Sequence, residues 1–107
     1  MKKSTKKIYD LYHDEDRDVF SASIKDLRKI LGEPVYADEN DKISQPLNFE
    51  WIMETDNGDI FVVWPEYPYA EVLDEDEIIE WHIGGHNGAI TYAALNEISE
   101  ELNELEV

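Results

Sequence analysis

The sequence predicts an α+β fold, in which a small antiparallel sheet packs against helices. Three observations support this class. Two segments alternate between apolar and polar residues, a glycine-containing turn joins one of them to a further β-rich run, and the last segment has apolar residues at helical spacing. We expect three or more strands, with the C-terminal helix on one face of the sheet and a short helix nearby. At 107 residues, the chain fits a single domain, residues 1–107, since most domains have about 100–150 residues.

The first 20 residues leave the choice between helix and strand open. Ile8, Leu11 and Tyr12 are spaced like one face of a helix, whereas the pairs Ile8-Tyr9 and Leu11-Tyr12 fit a short edge strand equally well. The basic start resembles that of a signal peptide, but a polar, acidic segment follows where an apolar one is needed. We expect no export by that route.

A short helix is predicted over residues 24–31. Ser23 and Asp26 have the spacing of a capping box, and the apolar residues that follow share one helical face. The Gly-x-Pro sequence that begins at Gly32 is typical of a helix end. Residues 35–46 are polar and rich in turn-forming types, so we predict a connection without regular structure.

A β-hairpin and a third strand are predicted in the middle of the chain. Residues 47–54 alternate, which places Trp51 and Met53 on one face. An Asp-Asn-Gly sequence follows and suits a tight turn with positive φ angles, and the β-rich run 60–64 completes the hairpin. Residues 78–83 alternate again and predict a further antiparallel strand.

The C-terminal segment is predicted to be an amphipathic helix from residue 89 onward. Its apolar stripe has a period of 3.6 and consists of Ile90, Ala94, Ile98, Leu102 and Leu105. The preceding Gly-Gly-x-x-Gly run has the order of a phosphate-binding loop but not the spacing, so we interpret it as a turn in which Asn87 caps the helix. Four glutamates gather beside the stripe: Glu97, Glu100, Glu101 and Glu104. Like charges at this spacing repel each other and destabilise a helix. Such locally unfavourable residues are common where function requires them.

The charge is distributed unevenly along the chain. The 26 Asp and Glu residues outnumber the 9 Lys and Arg residues, and the formal net charge is −17. All nine basic residues lie within residues 1–42 together with ten of the acids, so residues 43–107 carry 16 acids and no Lys or Arg. Such a field repels nucleic-acid phosphates and anionic lipids, and it attracts a basic protein. We therefore expect a positively charged protein partner, no direct nucleic-acid binding and no membrane binding, with the oligomeric state open.

Carboxylates can replace phosphates in a contact with a basic groove. On a helix, carboxylates three or four residues apart have Cβ atoms about 5–6 Å apart, compared with one phosphate about every 3.4 Å along a DNA strand. The predicted acidic surface comprises the four helix glutamates together with Asp74, Glu75, Asp76, Glu77, Glu50, Glu54 and Glu80. The leading hypothesis is a non-enzymatic inhibitor that occupies the nucleic-acid-binding groove of a nuclease or of another nucleic-acid-binding protein.

The aromatic residues of a loop suggest an alternative function. Tyr67 and Tyr69 lie in the Pro-containing segment 65–69 and could anchor a protein–protein interface. An exposed sheet edge could serve the same purpose. In either case the negative charge would serve solubility only.

Enzymatic and metal-binding functions have less support. Glu80, His82 and His86 are close in sequence, but two glycines separate the histidines, so these ligands are not aligned as they would be on a helix. The chain has no cysteine and therefore no thiolate ligand or Cys nucleophile. No pairing of a nucleophile with a base stands out. We predict no catalytic residues, no metal and no cofactor.

Four short motifs, taken in order, resemble a group of small proteins encoded by bacteriophages. They are Leu-Gly-Glu-Pro at 31–34, Phe-Glu-Trp at 49–51, Asp-Asn-Gly at 56–58 and Glu-Trp-His-Ile-Gly-Gly at 80–85, and the likeness covers residues 20–105. This resemblance implies no particular activity. Size, acidity and the lack of cysteine are also similar to phage inhibitors of host defence, including anti-CRISPR and antirestriction proteins that occupy nucleic-acid-binding grooves. That likeness implies action in the host cytoplasm and transfers no functional residues.

Overall fold

Six strands and two helices form the part of the chain that the computed structural model describes, residues 1–4, 11–36, 49–65 and 75–105. In chain order they are β1 (Lys2–Lys3), β2 (Val19–Ser23), α1 (Ile24–Leu31), β3 (Val35–Tyr36), β4 (Phe49–Glu54), β5 (Ile60–Pro65), β6 (Ile78–Gly85) and α2 (Gly88–Leu105). All strand pairs are antiparallel. The predicted α+β class is confirmed.

The sheet has the strand order β1-β4-β5-β6-β2, and β3 adds to β4 beside β1. The predicted hairpin is present, because β4 pairs with β5 in the register Trp51↔Val63 and Met53↔Phe61. Gly58 in the connecting turn has a φ of +86°, which glycine adopts without a Cβ clash. The predicted third strand is β6, which lies between β5 and β2 inside the sheet.

Three strands add to the three that the sequence located. β2 begins within the segment for which helix and strand were both open, and β1 contributes two residues opposite the end of β4. β3 lies within residues 35–46, so the prediction of an irregular connection is wrong for Val35 and Tyr36. A two-residue strand is too short to show alternation, and it exists because β4 offers hydrogen-bonding partners.

Both helices begin with the side-chain caps that the sequence suggests. α1 matches the predicted range, and the Ser23 hydroxyl oxygen accepts a hydrogen bond of 3.1 Å from the Asp26 amide. At the start of α2, Asn87 Oδ1 accepts a hydrogen bond of 3.0 Å from the Ile90 amide. The apolar stripe of α2 ends earlier than predicted, because Leu105 is exposed. Among the described helices, none combines the length and apolarity that crossing a membrane requires.

The core lies between the sheet and the two helices, both of which contribute buried residues. Trp51 and Trp81 are its largest side chains, and their rings meet edge to face with centroids 5.4 Å apart. Their indole N–H groups donate to the carbonyl oxygens of Gly32 at 2.8 Å and Ala22 at 3.0 Å. The two indoles are therefore buried without leaving a polar donor unsatisfied.

The outer face of the sheet, opposite the helices, carries polar side chains. On β6, Trp81 points into the core, so Glu80 and His82 lie on the outer face. The register of β5 and β6 places Trp64 directly beside His82 on this face.

A segment that precedes β2 pairs with the end of β6, on the side of β6 that β2 also uses. Tyr12 forms an isolated antiparallel bridge with Gly85, with hydrogen bonds of 2.6 and 3.0 Å between their backbones. Leu11 lies against Gly84, where an added Cβ would sit 2.6 Å from Leu11 Cγ. The glycine at position 84 therefore lets the segment approach β6 closely. His13, which follows Tyr12 in this segment, lies over the outer face of the sheet.

Candidate functional site

A pocket of about 480 Å³ opens on the outer face of the sheet. It is lined by His13, Glu15, Asp16, Trp64, Glu80 and His82. These residues come from the segment before β2, from β5 and from β6, so the pocket exists only in the folded chain. Its volume lies within the range of about 300–1,000 Å³ that is typical of small-molecule sites.

Two imidazole rings meet in the pocket wall. His13 Nδ1 lies 2.8 Å from the carbonyl oxygen of Ile83, which can only accept, so Nδ1 carries a hydrogen and donates it. His13 Nε2 lies 3.0 Å from His82 Nδ1. With both rings neutral, His82 Nδ1–H donates to His13 Nε2.

Trp64 packs against both histidines. Its ring centroid is 5.6 Å from that of His82 with the planes 21° apart, a stacked arrangement. It is 5.0 Å from the His13 centroid with the planes at 61°, an edge contact. Cross-strand pairing and ring packing therefore hold the three rings together as a preformed aromatic wall.

Three exposed carboxylates complete the pocket. Glu15 and Asp16 belong to a turn in which Asp14 Oδ1 accepts a hydrogen bond of 2.9 Å from the Asp16 amide. Glu80 comes from β6. The neighbouring Arg17 donates instead to the Tyr12 hydroxyl at 3.2 Å. Within the described ranges, no Lys or Arg forms an ion pair with the three pocket carboxylates.

The pocket includes two of the three residues considered for a metal site. Glu80 and His82 line it, whereas His86 lies beyond the end of β6, is exposed and does not line the pocket. Across residues 1–4, 11–36, 49–65 and 75–105, no group of three or more His, Asp or Glu side chains is placed to hold a metal ion. Sequence reasoning missed His13, because its partner His82 lies 69 positions away. The only available signal was alternation along β6, which assigns His82 a face but no neighbour.

The helix glutamates lie on the other side of the sheet from the pocket, because α2 packs on the core face. Glu100, Glu101 and Glu104 are exposed, and none of the cations in the described part of the chain forms an ion pair with them. Glu97 differs from these three. It is half-buried, and its carboxylate oxygens accept hydrogen bonds of 3.1 and 3.3 Å from the Asp56 amide.

The N-terminal amino group lies between the β4–β5 turn and α2. The Met1 nitrogen is 2.5 Å from Asp56 Oδ1 and 3.5 Å from Glu97 Oε1. The hydrogen bond with Asp56 raises the pKa of this amine above its ordinary value, although partial burial opposes the effect. Glu97 therefore has a nearby positive charge, which distinguishes it from the three exposed glutamates of α2.

The acids that precede β6 lie next to the cations of α1. Arg28 Nη1 binds Glu75 Oε1, and Lys25 Nζ lies 3.6 Å from Asp76 Oδ1. Glu77 is exposed. Two of these predicted surface acids are therefore compensated by basic residues from the first part of the chain.

The three sheet acids share the outer face, as the sequence prediction required. Glu50 and Glu54 alternate with core residues along β4, and Glu80 has the same orientation on β6. Burial raises the pKa of Glu50 above its usual value. Glu54 is the register partner of Lys2. The predicted acids thus occupy both sides of the sheet and the neighbourhood of α1, instead of one continuous surface.

Three predicted site residues lie outside the described residues: Asp74, Tyr67 and Tyr69. Comparisons with protein-family models, with curated proteins and with solved structures find no match. The resemblance to bacteriophage proteins stays a prediction.

Proposed function

We propose that this protein is a non-enzymatic inhibitor that binds a basic nucleic-acid-binding groove, and that its contact surface is the exposed acidic side of α2. The groove would belong to a host defence nuclease or to another nucleic-acid-binding protein. One observation carries the proposal: Glu100, Glu101 and Glu104 are exposed on a single helix and, among the described residues, no cation pairs with them. We further propose the host cytoplasm as the place of action.

The physical basis is a negative field that has no internal counter-charge at this surface. Carboxylates one helical turn apart repel each other by a few tenths of a kcal/mol per pair, and their position near the end of α2 opposes the helix dipole. A basic groove that approaches α2 would remove both penalties at once. The field would also increase the rate at which such a partner is encountered.

A second candidate is binding through a sheet edge, with the charge serving solubility only. β2 is the terminal strand of the sheet, and no strand in the described part of the chain pairs with its outer side. An extended segment of a partner could add to such an edge by main-chain hydrogen bonds. This mode does not depend on the α2 carboxylates, so the experiment below separates the two.

Two variants with equal charge changes test the proposal. The helix variant carries Glu100→Gln, Glu101→Gln and Glu104→Gln, whereas the pocket variant carries Glu15→Gln, Asp16→Asn and Glu80→Gln. Each removes three negative charges, but from opposite sides of the sheet. Any difference between them therefore reports the position of the charge and not its amount.

The measurement is competition with labelled nucleic acid for each of a panel of purified DNA- and RNA-binding proteins. We expect the wild-type protein to displace the nucleic acid from its target, and the helix variant to compete about tenfold or more less well, since three ion pairs are lost. The pocket variant should compete like the wild type. Equal losses in both variants, or displacement from no panel member, would contradict the proposal.

A further inference from the structure

The pocket on the outer face combines an aromatic wall with carboxylates. Trp64 and His82 are stacked, His13 packs against the edge of this pair, and Glu15, Asp16 and Glu80 line the same cavity. We propose that this pocket binds a guanidinium cation, as carried by an arginine side chain. Because it faces away from α2, the proposal does not rest on the inhibitor function.

The charge of the pocket determines the class of ligand. The Ile83 carbonyl fixes the tautomer of His13, and His13 Nε2 lies 3.0 Å from His82 Nδ1, so these two ring nitrogens contact each other. The three carboxylates form no ion pair with a described Lys or Arg, so they give the cavity a negative charge. Phosphates and carboxylates would be repelled, whereas a cation would be attracted.

The size and the lining of the pocket favour an organic cation over a metal ion. About 480 Å³ is far more space than one ion fills, and no three potential ligands among the described residues are placed to coordinate a metal. An organic cation instead uses both components of the lining. Its positive charge is attracted to the face of an indole ring and, at longer range, to the carboxylates.

Among organic cations, the geometry favours guanidinium over ammonium. Guanidinium is planar, stacks on aromatic rings, and presents several N–H donors in a fixed arrangement that suits two or more carboxylate oxygens. An ammonium is compact and strongly hydrated, so it gains less from contact with an aromatic ring. The wall is preformed by the Trp64 and His82 stacking and by the hydrogen bond between the histidines. Little conformational entropy should therefore be lost when the ligand binds.

The direct test is a titration of the whole protein with Nα-acetyl-arginine methylamide, followed by NMR. The indole N–H of Trp64 and the ring signals of His13 and His82 report binding at the pocket. The citrulline analogue has nearly the same shape without the charge, and the lysine analogue has the charge without the plane. We expect the arginine compound to bind at least about tenfold more tightly than either control.

The two charge variants exchange roles in this test: the pocket variant is expected to lose binding, and the helix variant is the control. The pocket variant should lose at least about tenfold in affinity for the arginine compound, while the helix variant should stay within about twofold of the wild type. Trp64→Leu should also lose binding, and its NMR spectrum and thermal unfolding show whether it remains folded. Equal binding of the citrulline compound, equal losses in both variants, or no change at the Trp64 signal would overturn the proposal.

The source of the guanidinium is tested by two further ligands. Free arginine carries an α-carboxylate that the acidic pocket should repel, whereas a capped Gly-Arg-Gly peptide does not. Tighter binding of the peptide assigns the pocket to an arginine of a protein partner, and tighter binding of free arginine assigns it to the amino acid. The titration measures binding to the pocket and does not involve a nucleic-acid-binding partner. A failure of the competition experiment above would therefore leave these results unaffected.

Discussion

Trp81 and His82 are neighbours on β6, yet they belong to opposite faces of the sheet with different physical roles. Trp81 is fully buried, packs against Trp51 and donates its indole N–H to Ala22. His82 is half-buried on the outer face, stacks on Trp64 and shares a hydrogen bond with His13. One position along the strand therefore separates a residue that holds the fold together from one that lines a pocket.

The comparison teaches that burial and charge are divided between surfaces in this protein. The core face supplies apolar packing, and the two outward surfaces, the pocket and the exposed side of α2, carry carboxylates without paired cations in the described ranges. Stability should therefore respond most strongly to substitutions on the core face, and binding to substitutions on the other two. Each prediction below tests one side of this division.

The largest expected effect is on stability, from Trp81→Ala. Removing a fully buried indole leaves a cavity and an unpaired Ala22 carbonyl, so we expect a loss of about 3–5 kcal/mol in the free energy of unfolding. His82→Ala removes the hydrogen bond with His13 and a partly exposed ring, and it should cost about 1 kcal/mol. Urea unfolding of both variants measures the two losses in the free energy of unfolding. Losses of similar size would mean that the outer face supports the fold as much as the core does.

The sequence was sufficient to predict the elements whose pattern is local. Alternation around Trp51 identified β4, the Asp-Asn-Gly turn identified the hairpin, and Ser23 and Asn87 correctly marked the starts of both helices. These signals arise within a few residues. β1 and β3 could not be predicted, because each consists of two residues that become a strand only by pairing with β4.

The candidate sites depended on contacts that a sequence does not reveal. The proximity of His13 to His82 follows from the Tyr12–Gly85 bridge, which joins segments about 70 positions apart. The acidic run before β6 looked unpaired in sequence, yet Arg28 and Lys25 of α1 neutralise part of it. Composition therefore established how much charge the chain carries, whereas the fold determines which carboxylates are paired with a cation and which are not.

A smaller effect is expected when the α2 charges are removed. The helix variant removes repulsions of a few tenths of a kcal/mol per pair and an unfavourable interaction with the helix dipole. At low salt its free energy of unfolding should therefore be about 1 kcal/mol higher than that of the wild type. High salt screens these charges and should reduce the gain. Thermal unfolding at two salt concentrations measures both. A loss of stability would show that these carboxylates hold the fold together.

The smallest expected effect concerns Glu50, on the outer face. Burial raises the pKa of this carboxyl, so ionisation is less favourable in the folded than in the unfolded state. At low pH Glu50 is protonated in both states and does not lower the stability of the fold. Stability is lost as the pH rises from the ordinary pKa of 4.5 through the raised pKa of the folded state. Glu50→Gln should therefore be more stable than the wild type near neutral pH, and the difference should shrink toward acid pH. A constant difference across thermal unfolding scans would argue against this cause.

The salt dependence of partner binding tests most directly whether the exposed carboxylates of α2 make the contact. The dissociation constant is measured over a range of salt concentrations for the wild type, the helix variant and the pocket variant, against the protein from which nucleic acid is displaced. Charge contacts weaken as the Debye length falls from about 10 Å at 0.1 M salt to about 3 Å at 1 M. We predict a steep dependence for the wild type and the pocket variant and a clearly shallower one for the helix variant. Identical slopes for all three proteins would contradict the account.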